Sequence, residues 1–215
     1  MVYSSYGYNL LGEIIGRLSG KPLAEFAAER IFAPLGMRDT SYALPDARRH
    51  RLVGRPPDAS TLRLVTPERL ETPWPSSGLF STAQDMAAFG QMFLDGGGRG
   101  DARVLGPAAV AAMTRNQIPG VSLTLGPEVF PEASWGLGWQ VQGNRRAIRG
   151  GSLSSPAAFG HNGAGGIYVW VDPTYELVGV YLSVVSHGHP GLFADWCADL
   201  FVDAVTAAVT DPPPA

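Results

Sequence analysis

Lysine is almost absent from this sequence: of 16 basic residues only Lys21 is not arginine. Cysteine is as scarce. Cys197 stands alone, which excludes an internal disulfide and a cysteine metal cluster. Its apolar helical surroundings predict a buried thiol packing as a small hydrophobe. Charge is thin as well, at 16% of residues with a net charge of −3, so nothing points to nucleic acid or an anionic membrane surface as partner. No apolar run approaches the roughly 20 residues that span a bilayer. Met1-Val2 is followed at once by Tyr3-Ser4-Ser5, which is no signal-peptide pattern; if residues precede Met1, that says nothing of the compartment.

Several chemical signatures are missing too. The glycine runs match neither a Walker loop nor a dinucleotide fingerprint, so no cofactor is expected. Gly150-Gly151-Ser152-Leu153 is followed by Ser154, so it is not a nucleophile elbow. His187-Gly188-His189 lacks a third ligand nearby, and no metal site is expected.

What remains is 215 residues, 45% of them apolar. That suits one domain with a sizeable core, or a larger domain cut short. Ser4 and Ser5 can cap a helix in which Tyr6, Leu10, Leu11, Ile14, Ile15 and Leu18 recur at helical spacing before a stop at Gly20. Pro22 suits the first turn of a second helix, whose apolar face runs through Leu23, Phe26, Ala27 and Ile31 to Pro34-Leu35-Gly36-Met37. Residues 41–75 read as loop with a short strand. Ser81 and Gln84 form a capping-box pattern ahead of a helix from Asp85 to Leu94, ended by Gly96-Gly97-Gly98. Another short helix starts at Pro107 and carries Val110 and Met113.

Beyond it the pattern turns to strands. Gly136 to Val141 is one candidate, and Ala157 to Gly160 leads into another. Ile167 to Val171, a turn at Asp172-Pro173, and Leu177 to Val185 predict a hairpin. Its second arm is nearly all apolar, which suits a strand covered on both faces. A closing helix places Leu192, Phe193, Trp196, Leu200, Phe201, Val205 and Val209 on its apolar side, and the tail 211–215 is expected to be disordered. Trp135, Trp139, Trp170 and Trp196 are expected as core or pocket wall. The order gives an α+β class: residues 1–116 mainly helix and loop, 130–209 antiparallel sheet and closing helix, within one domain.

Three stretches, taken together, resemble the serine β-lactamase-related family of class C β-lactamases, penicillin-binding proteins, esterases and D-peptidases. Tyr3-Ser4-Ser5-Tyr6-Gly7-Tyr8-Asn9 resembles the family's Tyr-Ser-Asn motif. Gly36-Met37 with Thr40, and Gly78-Leu79-Phe80-Ser81-Thr82, match stretches between the motifs. Phe159-Gly160-His161-Asn162-Gly163-Ala164-Gly165-Gly166 resembles the Lys/His-x-Gly motif. The resemblance implies a C-terminal part of the β-lactamase/transpeptidase-like fold, and acyl transfer through a serine ester.

The nucleophile implied is the serine of a Ser-x-x-Lys motif. The residue three before Lys21 is Leu18, so these 215 residues contain no such motif, and a segment carrying it is expected upstream. By resemblance, Tyr3 relays protons between nucleophile and leaving group, and Ser5 stands where asparagine is usual. His161 stands where many β-lactamases carry lysine; this favours esters or D-peptides over β-lactams, because neutral imidazole lacks the fixed charge that holds a carboxylate. The Ala164 N–H would form half of an oxyanion hole, with Asn162, Gly163 and Gly165 along the substrate. The alternative is a non-catalytic remnant or interaction module with the same fold. On either reading the strand from Leu177 should leave an open edge or an apolar face.

Overall fold

A computed structural model describes residues 1–55, 65–125, 128–143, 150–185 and 194–210. His187, His189, Leu192, Phe193 and the tail 211–215 lie outside the described residues, as does the Trp196 side chain.

The chain enters through Met1–Tyr3, pinned to a later hairpin. The Thr124 N–H donates to the Met1 carbonyl at 3.0 Å, and Val2 bridges to Thr124 in parallel. Helix α1 (Ser5–Ser19) follows, with Ser4 at its cap position and Gly20 ending it in the left-handed conformation at φ 69°. Ser5 is therefore the first helical residue, and the Ser4 hydroxyl makes no capping bond.

The second predicted helix has the expected extent but is less regular than its sequence suggests. It runs through α2 (Leu23–Ala27), a wider π-type turn at Ala28–Phe32 and α3 (Ala33–Leu35). Pro22 stands one residue before α2, at its cap. The loop that follows holds short helices α4 (Asp46–Arg49) and α5 (Pro67–Glu71) and a bridge from Ser41 to Phe80.

Helix α6 (Ala83–Leu94) is capped by Thr82, whose Oγ1 accepts the Asp85 N–H at 3.2 Å. The Ser81 hydroxyl, expected as the cap, instead bonds Thr40 Oγ1 at 2.8 Å. Asp85 ties that corner together by accepting the Asp39 N–H and the Thr40 hydroxyl. Then come β1 (Gly98–Arg99), β2 (Ala102–Arg103), α7 (Pro107–Thr114), and the hairpin β3 (Leu123–Leu125) with β4 (Glu128–Phe130).

The main sheet is antiparallel in the order β5 (Gln140–Val141), β6 (Phe159–Gly163), β7 (Ile167–Asp172), β8 (Leu177–Leu182). The broad strand expected from Gly136 shrinks to two residues. Period-two alternation assigns the faces. Phe159 pairs with Val171, and both join Val141, Trp139, Met92 and Phe93 in the larger core against α6. Tyr168 and Trp170 point to the other face, against Val202 of the closing helix α8 (Ala194–Ala207).

Two glycines make these layers possible. A Cβ on Gly90 of α6 would stand 2.4 Å from Val178, and one on Gly179 of β8 would stand 2.0 Å from the Trp170 ring.

Strand β8 is covered on both faces as expected, by α6 through Val178 and by the α8 layer through Tyr181, while among the described residues its outer edge is unpaired and Leu182 is 46% exposed. Two expectations need correction. On α8 the buried positions are Ala198, Val202 and Thr206; Val205 and Phe201 pack at their margin, Phe201 against Trp170 and Tyr181, while Leu200 is 46% exposed. Cys197 is exposed rather than buried. The cause is shared: the face toward the sheet is set by the i, i+4 row from Ala198, and Cys197 lies one residue, about 100°, off that row.

Candidate active site

Tyr3 and His161 meet with ring centroids 6.0 Å apart. Each is fixed by its own element. Tyr3 leaves the segment bound to β3, where the Met1 amine also bonds the Ser122 carbonyl. His161 sits mid-strand opposite Val169, on the same face as Phe159, toward the helical layer.

Two further rings complete the group. Tyr8 stands edge-on to the imidazole, perpendicular at 6.2 Å, and Trp135 contacts both Tyr3 (5.9 Å) and His161 (5.6 Å). The Trp135 carbonyl accepts the Gln117 N–H at 2.7 Å, and Ser134 beside it holds a positive φ of 50°. Motif reading missed both residues. Tyr8 lies one helical turn after Ser4, but helical period alone does not mark it as functional. Trp135 had no signal either, because a loop sets its direction.

The hydrogen bonds fix the state of the imidazole. His161 Nδ1 lies 2.8 Å from the Asn162 carbonyl. A carbonyl only accepts, so Nδ1 carries the proton and Nε2 is bare. The Tyr8 hydroxyl is 3.5 Å from Nε2 and donates toward it. The Tyr3 and Tyr8 rings stand 6.0 Å apart, tilted by 41°.

Burial governs the titration of all three. It raises the Tyr3 phenol, with the Tyr8 hydroxyl pulling the other way. It lifts Tyr8 to about 12. It lowers His161, partly opposed by the Asn162 carbonyl. Lys21 does not assist: it lies beyond the far end of α1, held by Glu29 at 2.6 Å.

The other expected residues are placed as follows. Ser5 is exposed in the first turn of α1. Asn162 pairs with Tyr168, so alternation sends its side chain to the face opposite His161 and only its carbonyl joins the cluster. Gly163 and Gly166 close the β6–β7 turn through a 3.0 Å bond, with Ala164 exposed at its tip and Gly166 at φ 89°. Gly165 lies under Arg55, whose Nη1 donates to its carbonyl at 2.9 Å and to that of Val184 at 3.3 Å. The turn carrying Ala164 is thereby tied to the end of β8. Among the described residues no cluster of His, Cys, Asp or Glu has the form of a metal site, and no helix is long and apolar enough to cross a membrane.

Known proteins are similar to this chain in sequence and fold. A curated relative from Salmonella paratyphi B, assigned the name D-alanyl-D-alanine carboxypeptidase, is 30% identical over 208 residues. The match covers 86% of this chain and 45% of that protein, so the chain spans about half the length of the curated relatives it matches. A solved beta-lactamase from Mycobacterium bovis is 27% identical with a TM-score of 0.73, over 97% of this chain and 64% of the other. A penicillin-binding protein homolog from Caulobacter crescentus is 25% identical with a TM-score of 0.71, over 92% and 56%. The profile of the beta-lactamase family matches residues 1–204; the chain belongs to that family of serine hydrolases and has its β-lactamase/transpeptidase-like fold.

Proposed function

We propose that the chain is the C-terminal part of a serine acyl hydrolase acting on esters or D-amino-acid peptides through an acyl-enzyme. Its nucleophile and lysine lie on a Ser-x-x-Lys segment outside these 215 residues. The observation that carries this reading is the meeting of Tyr3 and His161, 158 positions apart, at 6.0 Å.

The roles follow from the chemistry of each group. Tyr3 moves the proton between serine and leaving group. The Ala164 N–H, on its tied turn, stabilises the charge that develops on the substrate carbonyl oxygen. Ser5 offers one hydroxyl where asparagine would offer two donors and an acceptor, and it faces the substrate from the start of α1. Gly163 and Gly165 let the acyl group approach the strand, and Asn162 aims His161 through its carbonyl. His161 is neutral at pH 7, which favours esters and D-peptides over substrates needing a fixed cation.

The test is active-site labelling with a fluorophosphonate, run on this chain and on the reading frame extended upstream of Met1. Labelling of the extended protein alone is the expected result. Labelling of the short chain would sink the assignment of the nucleophile. No labelling of either would favour a non-catalytic remnant with the same fold.

A further inference from the structure

The turn that presents Ala164 is short, and its peptide planes can be followed one by one. Gly163 pairs with Ile167, which leaves a tight loop with Gly166 at φ 89°, the geometry of a type I turn closed by a left-handed glycine. The Gly166 N–H donates to the Gly163 carbonyl at 3.0 Å. In a trans peptide the C=O and the N–H point opposite ways. With its oxygen turned into the loop, the Gly163–Ala164 peptide turns the Ala164 N–H outward, and Ala164 is exposed there.

The Gly165–Gly166 peptide is held at both ends. Its N–H is the one bonded to Gly163, and its carbonyl oxygen accepts Arg55 Nη1 at 2.9 Å. The same Nη1 reaches the Val184 carbonyl at 3.3 Å, and the Ser183 N–H donates to the Gly166 carbonyl at 3.0 Å. The guanidinium thus fastens the tip of the hairpin to the chain leaving β8. It sits close over Gly165, where a Cβ would stand 2.6 Å from Nη2 and 3.2 Å from Cζ. The missing side chain is what admits it.

We propose that Arg55 is a positioning residue for the oxyanion hole, acting on the Ala164 N–H through two hydrogen-bonded peptides. The inference rests on the reading of Ala164 as donor to the substrate oxygen. Two effects run along the same path. The first is geometric: Arg55 sets the plane of the Gly165–Gly166 peptide, and that peptide sets the plane that aims the Ala164 N–H. The second is electrostatic. Outward from the cation the order is guanidinium, C=O, N–H, C=O, N–H, every dipole in the same sense. The last N–H meets the oxygen on which negative charge develops. Aligned hydrogen bonds polarise one another, so a charge-assisted bond at the start strengthens the donor at the end. An apolar side chain at position 55 would supply neither effect. Loss of a whole oxyanion donor costs about a hundredfold to a thousandfold in kcat. Arg55 acts on that donor from a distance, so its loss should cost less.

In the 215-residue chain the path can be tested without any variant. A scalar coupling should pass across the hydrogen bond from the Gly166 nitrogen to the Gly163 carbonyl carbon, and its absence overturns the proposal. Arg55→Ala should move the Ala164 amide proton upfield and speed exchange of the Gly166 N–H about tenfold, while mid-strand amides of β7 keep their rates. Unmoved Ala164 and Gly166 signals overturn it. So does a uniform rise in exchange across the sheet, which would make Arg55 a general support of the fold.

In the upstream-extended protein, Arg55→Ala should lower kcat about tenfold and leave KM within about twofold. Ethylguanidinium at millimolar concentration should restore part of that loss, and no restoration overturns the proposal. Gly165→Ala, which pushes the guanidinium from its seat, should give a similar loss, and the double variant no further loss. Losses that add, or an Arg55→Ala enzyme within about twofold of its parent, overturn the proposal while the proposed function stands. If Arg55→Ala does not fold, the coupling and Gly165→Ala decide the matter. Should the extended parent fail to label with a fluorophosphonate, the proposed function falls instead, and coupling and exchange still decide whether Arg55 holds the turn.

Discussion

At the scale of single residues, His161 carries the most physical information. Its folded pKa is depressed below the ordinary 6.5 by burial. The unfolded chain therefore takes up this proton first as pH falls, so the stability it contributes is present above about 6.5 and is lost as pH drops through the folded value. The urea midpoint should accordingly fall between pH 7.5 and 5.5, and His161→Gln should flatten that part of the profile. An unchanged slope in the variant would show that the imidazole is not buried in its neutral form. Motif spacing had singled out Tyr3 and His161 correctly as neighbours to be, while Tyr8 was hidden in what looked like an ordinary helical turn.

The elements show a sharper contrast, between two helices with similar apolar patterns. Helix α6 buries Met92 and Phe93 to 1% and 4% exposure. Helix α1 repeats apolar residues just as regularly, yet Tyr6, Leu10, Leu11, Ile14 and Leu18 are 47–85% exposed, and its one buried residue is Gly12. Burial rather than periodicity sets the energy. Met92→Ala should cost about 2–5 kcal/mol, whereas Ile14→Ala should change stability by no more than about 0.5 kcal/mol. Chemical denaturation of the two variants checks this. A large loss for Ile14→Ala would mean that the outer face of α1 is covered in solution.

For the whole molecule, the edge of β8, unpaired among the described residues, is the open edge expected from the sequence, and the apolar face of α1 is a second bare surface that the sequence reading did not name. Exposed apolar surface of this extent and an unpaired strand edge promote association. The purified 215-residue chain should therefore bind an apolar fluorescent dye and sediment with a weight-average mass that rises with concentration. The upstream-extended protein should do neither. A monodisperse short chain without dye binding would favour the self-sufficient remnant.

The sequence by itself determined the helical first half, the antiparallel second half and the residues that mark the family. Those rest on local periods, caps and spacings, which need no knowledge of the fold. Tertiary structure alone decided which apolar stripe is buried, why Cys197 faces outward, and that Thr82 rather than Ser81 caps α6. It also decided that Asn162 acts through its carbonyl and that Tyr8 reaches the imidazole. The physical reason is common to all of these. A period fixes which residues share a face, but only the packing of one element on another fixes where that face points, and proton positions follow from the partners so placed.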